Sequence, residues 1–155
     1  MPDPDFLADC HAPVRALYEY WASKRHGRLM PSRADLDPLD IPRLLPGICL
    51  VDVVPDERRY VYRLIGTNEA RVRGRDPTGL SVMEAYFGTS LQSVLVNYDA
   101  VTRSCAPHLD REPSLTKDDR FIQHETIFLP LSDDGATVNM ILVYTVYGLA
   151  PAKRL

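Results

Sequence analysis

Residues 59–87 read RYVYRLIGTNEARVRGRDPTGLSVMEAYF, and the fold turns on this stretch. Tyr60, Tyr62 and Leu64 alternate with Val61, Arg63 and Ile65, the period-two pattern of a half-buried strand, and the run stops at Gly66-Thr67. Gly74, Pro77 and Gly79 then break the segment after it into short helical pieces. A strand that feeds broken helices is a distinctive order. Upstream, ICLVDVV at 48–54 is β-branched and apolar and ends at Pro55-Asp56, so it forms a hairpin with 60–65. Asp52 interrupts that run and needs either water or a partner such as Arg63.

Working outward, Thr89-Ser90 caps a long helix that runs to about Cys105. Leu91, Val94, Leu95, Tyr98, Val101, Thr102 and Cys105 lie on one stripe, and Pro107 marks the end. His108 to Leu115 follows, then a polar turn at 116–119. Two long strands, 121–131 and 137–147, come next, joined by Ser132-Asp133-Asp134-Gly135. TVNMILVYTVY is the most apolar strand and is expected at the centre of the sheet; Pro130 is tolerated at an edge or a bulge. Toward the N-terminus, Val14, Leu17, Tyr18 and Trp21 define one face of a helix over 13–26 that Gly27 can cap. Four prolines, at positions 31, 38, 42 and 46, make the next segment a structured loop, with Asp37-Pro38 starting a short turn and Leu44 and Leu45 as apolar anchors. Arg28, Arg33, Asp35, Asp37 and Asp40 form either a polar constellation or the capping contacts of an irregular backbone.

Composition bounds the function. A chain of 155 residues, 45% hydrophobic and 25% charged, suits one soluble domain with a real core. A formal charge of −3 gives no broad attraction to phosphate backbones, so nucleic acid is not an expected partner. No apolar run approaches the ~20 residues of a membrane span, and the N-terminus lacks a signal pattern, so a cytoplasmic location is expected. Cys10, Cys49 and Cys105 are odd in number and widely spaced, which argues for reduced thiols and against a zinc site. Signatures of hydrolytic, phosphate-binding and metal chemistry are absent, and no catalytic residue is singled out.

RHGRLMPSRADLDPLDIPRLLPGI at 25–48, YRLIGT at 62–67 and GRDPTG at 74–79 resemble the motifs of PAS domains, nearest to the small single-domain PAS-like proteins of alphaproteobacteria. The resemblance implies an α+β fold: a five-stranded antiparallel sheet with helices on one face and a leading N-terminal helix. The domain organisation expected is a tail at 1–12, the leading helix at 13–27, the PAS-like domain at 28–148 and a tail at 149–155. Tyr62, Leu64, Met83, Tyr86, Tyr98, Met140, Leu142 and Tyr144 are the candidates to line its cavity, which is either open to a ligand or a filled core. The leading helix packs on its own sheet or, through Leu17, Tyr18 and Trp21, against a second copy in a homodimer.

No cofactor is identified by the resemblance. The flavin-adduct cysteine of blue-light relatives would follow Gly74-Arg75-Asp76, where Pro77 stands, and of the possible haem ligands only His108 and His124 lie near the pocket elements. The expected function is a sensory or regulatory module that signals through a small ligand, an unidentified signalling protein or itself. The alternative is a pocket enzyme of the ketosteroid-isomerase type, recruiting Asp52, His124 or Glu125 as base.

Overall fold

The hairpin forms where the alternation places it. Strand β1 (Ile48–Val53) pairs antiparallel with β2 (Tyr60–Ile65), with a bulge between Leu50 and Val51 that sets Val51 opposite Tyr62. The structure, a computed structural model, describes residues 4–111, 114–115 and 121–148, with the backbone only at 114, 115, 121 and 122. The turn expected at 116–119 and the C-terminal tail at 149–155 lie outside the described residues.

Three helices follow β2: α2 (Thr67–Arg73), α3 (Val82–Ala85) and α4 (Leu91–Ser104). Gly74, at φ 81°, ends α2 in the left-handed region, and Ser90 caps α4 by accepting from the Ser93 amide. Strand β3 (His108–Asp110) comes next, then a separate two-stranded ribbon of β4 (Ser114–Leu115) and β5 (Phe121–Ile122). The chain closes with β6 (His124–Leu131) and β7 (Met140–Tyr147). The main sheet is antiparallel in the order β2-β1-β7-β6-β3, so the most apolar strand is central. Pro130 sits inside β6 opposite Ile141, but β3 pairs only with Thr126 to Phe128, so no ladder partner is needed on its other side.

The leading helix α1 (Ala12–Ser23) covers the sheet face opposite to α4. Glu125, on that face of β6, accepts from the His11 amide at 2.7 Å, and the buried Trp21 Nε1 donates to the Pro130 carbonyl at 2.8 Å. Val14, Leu17, Tyr18 and Trp21 are buried in the chain's own core. The three side chains expected at a homodimer interface, Leu17, Tyr18 and Trp21, are therefore spent on docking the helix to its own sheet, where aromatic burial of ~1.5–3 kcal/mol per large side chain holds it. The segment before α1 is docked too: a 3₁₀ turn at Asp5–Ala8 buries Leu7.

The proline-rich loop uses its charges to hold itself. Arg28 donates to the Arg25 and Lys24 carbonyls and pairs with Asp35 at 2.6 Å, while Asp35 and Ser32 form a capping box. Asp37 accepts from the Leu39 amide, and Tyr20 Oη bridges to Asp40 at 2.8 Å. Arg33 donates to the Leu36 carbonyl. Leu44 packs against the core; Leu45 is exposed.

Candidate functional site

Alternation along the strands decides which side chains meet the helices. Thr126 and Phe128 of β6 lie on the same face as Thr145 and Val143 of β7, their cross-strand partners, and His124 lies beside Tyr147. Tyr62 extends this face through β1. Over it lie Arg73 at the end of α2, the link Phe87-Gly88-Thr89, and Ser93, Val94, Asn97 and Tyr98 from α4. Between the two layers is a cavity with about 50 Å³ in which the centre of a water-sized molecule can move. One water needs roughly 10–15 Å³ on that measure, so the space holds a few small groups.

Arg73, in the cavity wall, belongs to a buried ion pair. Helical spacing of four puts Glu69 and Arg73 on one face of α2, and Arg73 Nε lies 3.1 Å from Glu69 Oε2. Tyr147 Oη donates to the same carboxylate oxygen at 3.1 Å, while Arg73 Nη1 donates to Tyr62 Oη at 3.0 Å. Glu69 is 2% exposed, and its Oε1 has no hydrogen-bond partner among the described residues. The Arg73 guanidinium lies 4.8 Å from the Tyr62 ring centre and 5.5 Å from that of Phe87. Burial opposes the charge of Arg73, but the Glu69 carboxylate and the hydrogen bond to Tyr62 outweigh it and hold its pKa above the ordinary value. Burial also raises the Tyr62 hydroxyl and lifts Tyr98 and Tyr147 well above the usual phenol range. The nearby Cys49 thiol is pushed up to about 12 by burial, so it remains protonated and unreactive.

A second polar chain runs beside the cavity. His108 Nε2 meets Asn97 Oδ1 at 2.8 Å, and Asn97 Nδ2 donates to Asp110 Oδ2 at 3.0 Å. An amide oxygen only accepts, so His108 donates from Nε2. Burial lowers the His108 pKa against the pull of Asp110, favouring the neutral ring. His124 Nε2 lies 3.5 Å from Asp110 Oδ2. Thr126 and Thr145 share a hydrogen bond at 2.9 Å across β6 and β7. Tyr98 is clamped between Tyr60 and Phe128, with ring centres 5.1 and 5.3 Å away.

Of the eight side chains expected to line the cavity, Tyr62 and Tyr98 do so. Met140, Leu142 and Tyr144 point to the opposite face of β7, because Val143, Thr145 and Tyr147 are the residues turned to the helices. Tyr144 instead abuts Gly47, where an added Cβ would fall 2.7 Å from its ring. Leu64 is 45% and Tyr86 41% exposed, and Met83 is half-buried on α3 outside the cavity. Sequence reading passed over Glu69, Arg73, Asn97, Asp110, Thr145 and Tyr147; the signal present was the Glu-x-x-x-Arg spacing directly after a strand that carries Tyr62. Of the two histidines weighed as haem ligands, His124 lines the cavity and His108 bonds to Asn97 behind it. Asp52 pairs with Arg63 at 3.6 Å, one of the two options read from sequence. Among the described residues no cluster of three or more metal-binding side chains occurs, and no helix is long and apolar enough to cross a membrane.

Residues 10–145 match the family described as PAS domain. Among solved structures, a sensory box sensor histidine kinase from Vibrio cholerae aligns at 17% identity and TM-score 0.51, covering 70% of this chain and 89% of that one. A LOV protein of Rhodobacter sphaeroides aligns at 10% identity and TM-score 0.53, over 72% of this chain and 68% of the other. VqmA of Vibrio cholerae, described as a dimer that shifts conformation in the absence of target DNA, aligns at 13% identity and TM-score 0.56; the match spans 72% of this chain and 50% of VqmA. At these identities the likeness is one of fold. No curated protein matches the sequence.

Proposed function

This chain belongs to the PAS-domain family, and from that premise we propose that it is a sensory or regulatory module that binds a small ligand between its helices and its sheet. The signal leaves through contacts with itself or a signalling protein, without catalysis. The observation that carries this reading is the cavity itself: open space walled by several hydroxyls and by Arg73, whose partner Glu69 is buried behind it, where a filled hydrophobic core would have neither.

The transmission route follows from the layering. Strands β6 and β7 present Phe128, Val143 and Thr145 to the cavity and carry α1 on their other face. A ligand that favours one arrangement of these strands biases the docking of α1, provided it binds the two arrangements with different affinity. Two of the three bases an isomerase-type enzyme would recruit lie away from the cavity: Asp52 with Arg63, and Glu125 held by the His11 amide and by Arg111 Nε at 2.9 Å. That geometry favours the non-catalytic reading.

Native mass spectrometry of freshly purified protein, set against its denatured mass, tests the proposal. The expected result is a small non-covalent mass excess lost on denaturation. A chain that flies at its own mass in both conditions, in repeated preparations, overturns the ligand part of the proposal and leaves protein contact as the function.

A further inference from the structure

The charges around the cavity already have their counterions. Glu69 Oε2 takes hydrogen bonds from Arg73 Nε and Tyr147 Oη, and Asp110 Oδ2 accepts from Asn97 and faces His124. An entering carboxylate or phosphate would add negative charge near Glu69, which is fully buried and lacks a donor at Oε1, and near Asp110. An entering ammonium would find part of the aromatic wall already taken by a cation, since Arg73 lies over Tyr62 and Phe87. A charge moved out of water without a partner is strongly disfavoured. An uncharged polar group meets no such penalty. Tyr147 already donates to Glu69 and Ser93 to the Ser90 carbonyl, so their oxygens are left to accept, while the bonded Thr126–Thr145 pair keeps one hydroxyl hydrogen to give; Val94, Phe128 and Val143 offer an apolar surface for a short alkyl segment.

We propose that the cavity selects a small uncharged ligand, a short alkyl chain bearing hydroxyl, carbonyl or amide groups, and that the Glu69–Arg73 pair is the determinant that rejects carboxylates and amines. The space of about 50 Å³ fits a molecule of roughly four to six non-hydrogen atoms. This inference rests on the ligand-binding reading above and adds the chemical class.

The test is a titration of the whole protein with four probes of similar size, propanamide, propylene glycol, propionate and propylammonium, followed by backbone amide NMR shifts at Gly88 and Thr145. Propanamide and propylene glycol are expected to shift these amides, with propionate and propylammonium weaker by roughly tenfold or more. Propionate or propylammonium binding as well as propanamide overturns the assigned class while leaving a ligand site in place. If none of the four shifts the cavity amides, both the class and the ligand-binding reading fail. Glu69→Gln keeps the shape but leaves Arg73 uncompensated, and it is expected to gain propionate binding by roughly tenfold or more. Unchanged selectivity in that variant removes the pair as determinant. Should Glu69→Gln not fold, Glu69→Met/Arg73→Met removes both charges together and is expected to narrow the preference for propanamide.

Discussion

Arg73 and Glu69 are each costly to bury and tolerable only together. Removing one partner of a buried pair leaves the other charge stranded, at about 3–5 kcal/mol, whereas replacing both with apolar side chains is often neutral. Arg73→Met is therefore expected to lower the unfolding free energy by about that amount in urea titration, and the double replacement Glu69→Met/Arg73→Met to recover most of it. Equal losses in both variants would show that the pair contributes through its neighbours instead. His108 gives a pH dependence whose sign is fixed. Its pKa in the fold lies below the ordinary 6.5, so between those two values the unfolded chain holds the extra proton. Its contribution to stability is complete above about 6.5 and is lost as pH falls through the folded value. His108→Gln is expected to flatten that part of the stability-pH curve. At this scale the sequence was least readable: Arg71, Arg73 and Arg75 look alike as basic residues near a helix end, and only the turn of α2 selects Arg73 for the interior.

Whole elements were far more legible. Strand β2 occupies the residues its alternation predicts, and the long helix ends at the Cys105 turn, where φ is +54°. The facing of β7 was not legible, because Met140 to Tyr147 is apolar on both sides and a period of two cannot say which side meets the helices. Its neighbour β1 carries a bulge, which breaks any attempt to carry facing across from β2. Gly66 shows why the strand must stop where it does. A Cβ there would lie 2.4 Å from the Pro46 carbonyl oxygen and 2.6 Å from that of Leu45, both rigid backbone atoms. Gly66→Ala is expected to push α2 off this loop and lower the melting temperature well beyond the effect of Ser90→Ala. The latter removes only the cap of α4, worth ~1 kcal/mol. A similar melting temperature for the two variants would mean that the loop at 45–47 yields easily.

The molecule as a whole is a sheet read from both faces, with a cavity on one and α1 on the other. Sequence left α1 with two possible docking partners because Tyr18, Tyr20 and Trp21 suit a core and an interface equally. In the fold Trp21 is 1% exposed and hydrogen-bonded to Pro130 of the same chain. Trp21→Ala should then cost ~3–5 kcal/mol through the space it leaves. Because the contact is intramolecular, that loss should be independent of protein concentration; a stabilising contact with a second copy would make the melting temperature rise with concentration in the parent and not in the variant. The same substitution probes transmission. Strands β6 and β7 are shared by the cavity and α1, so loosening α1 should speed amide hydrogen exchange at Phe128 and Val143 on the cavity side as well as at Ile127 and Leu142 beneath the helix. Faster exchange confined to Ile127 and Leu142 would mean that the two faces are energetically insulated, and a ligand in the cavity could not then signal through α1.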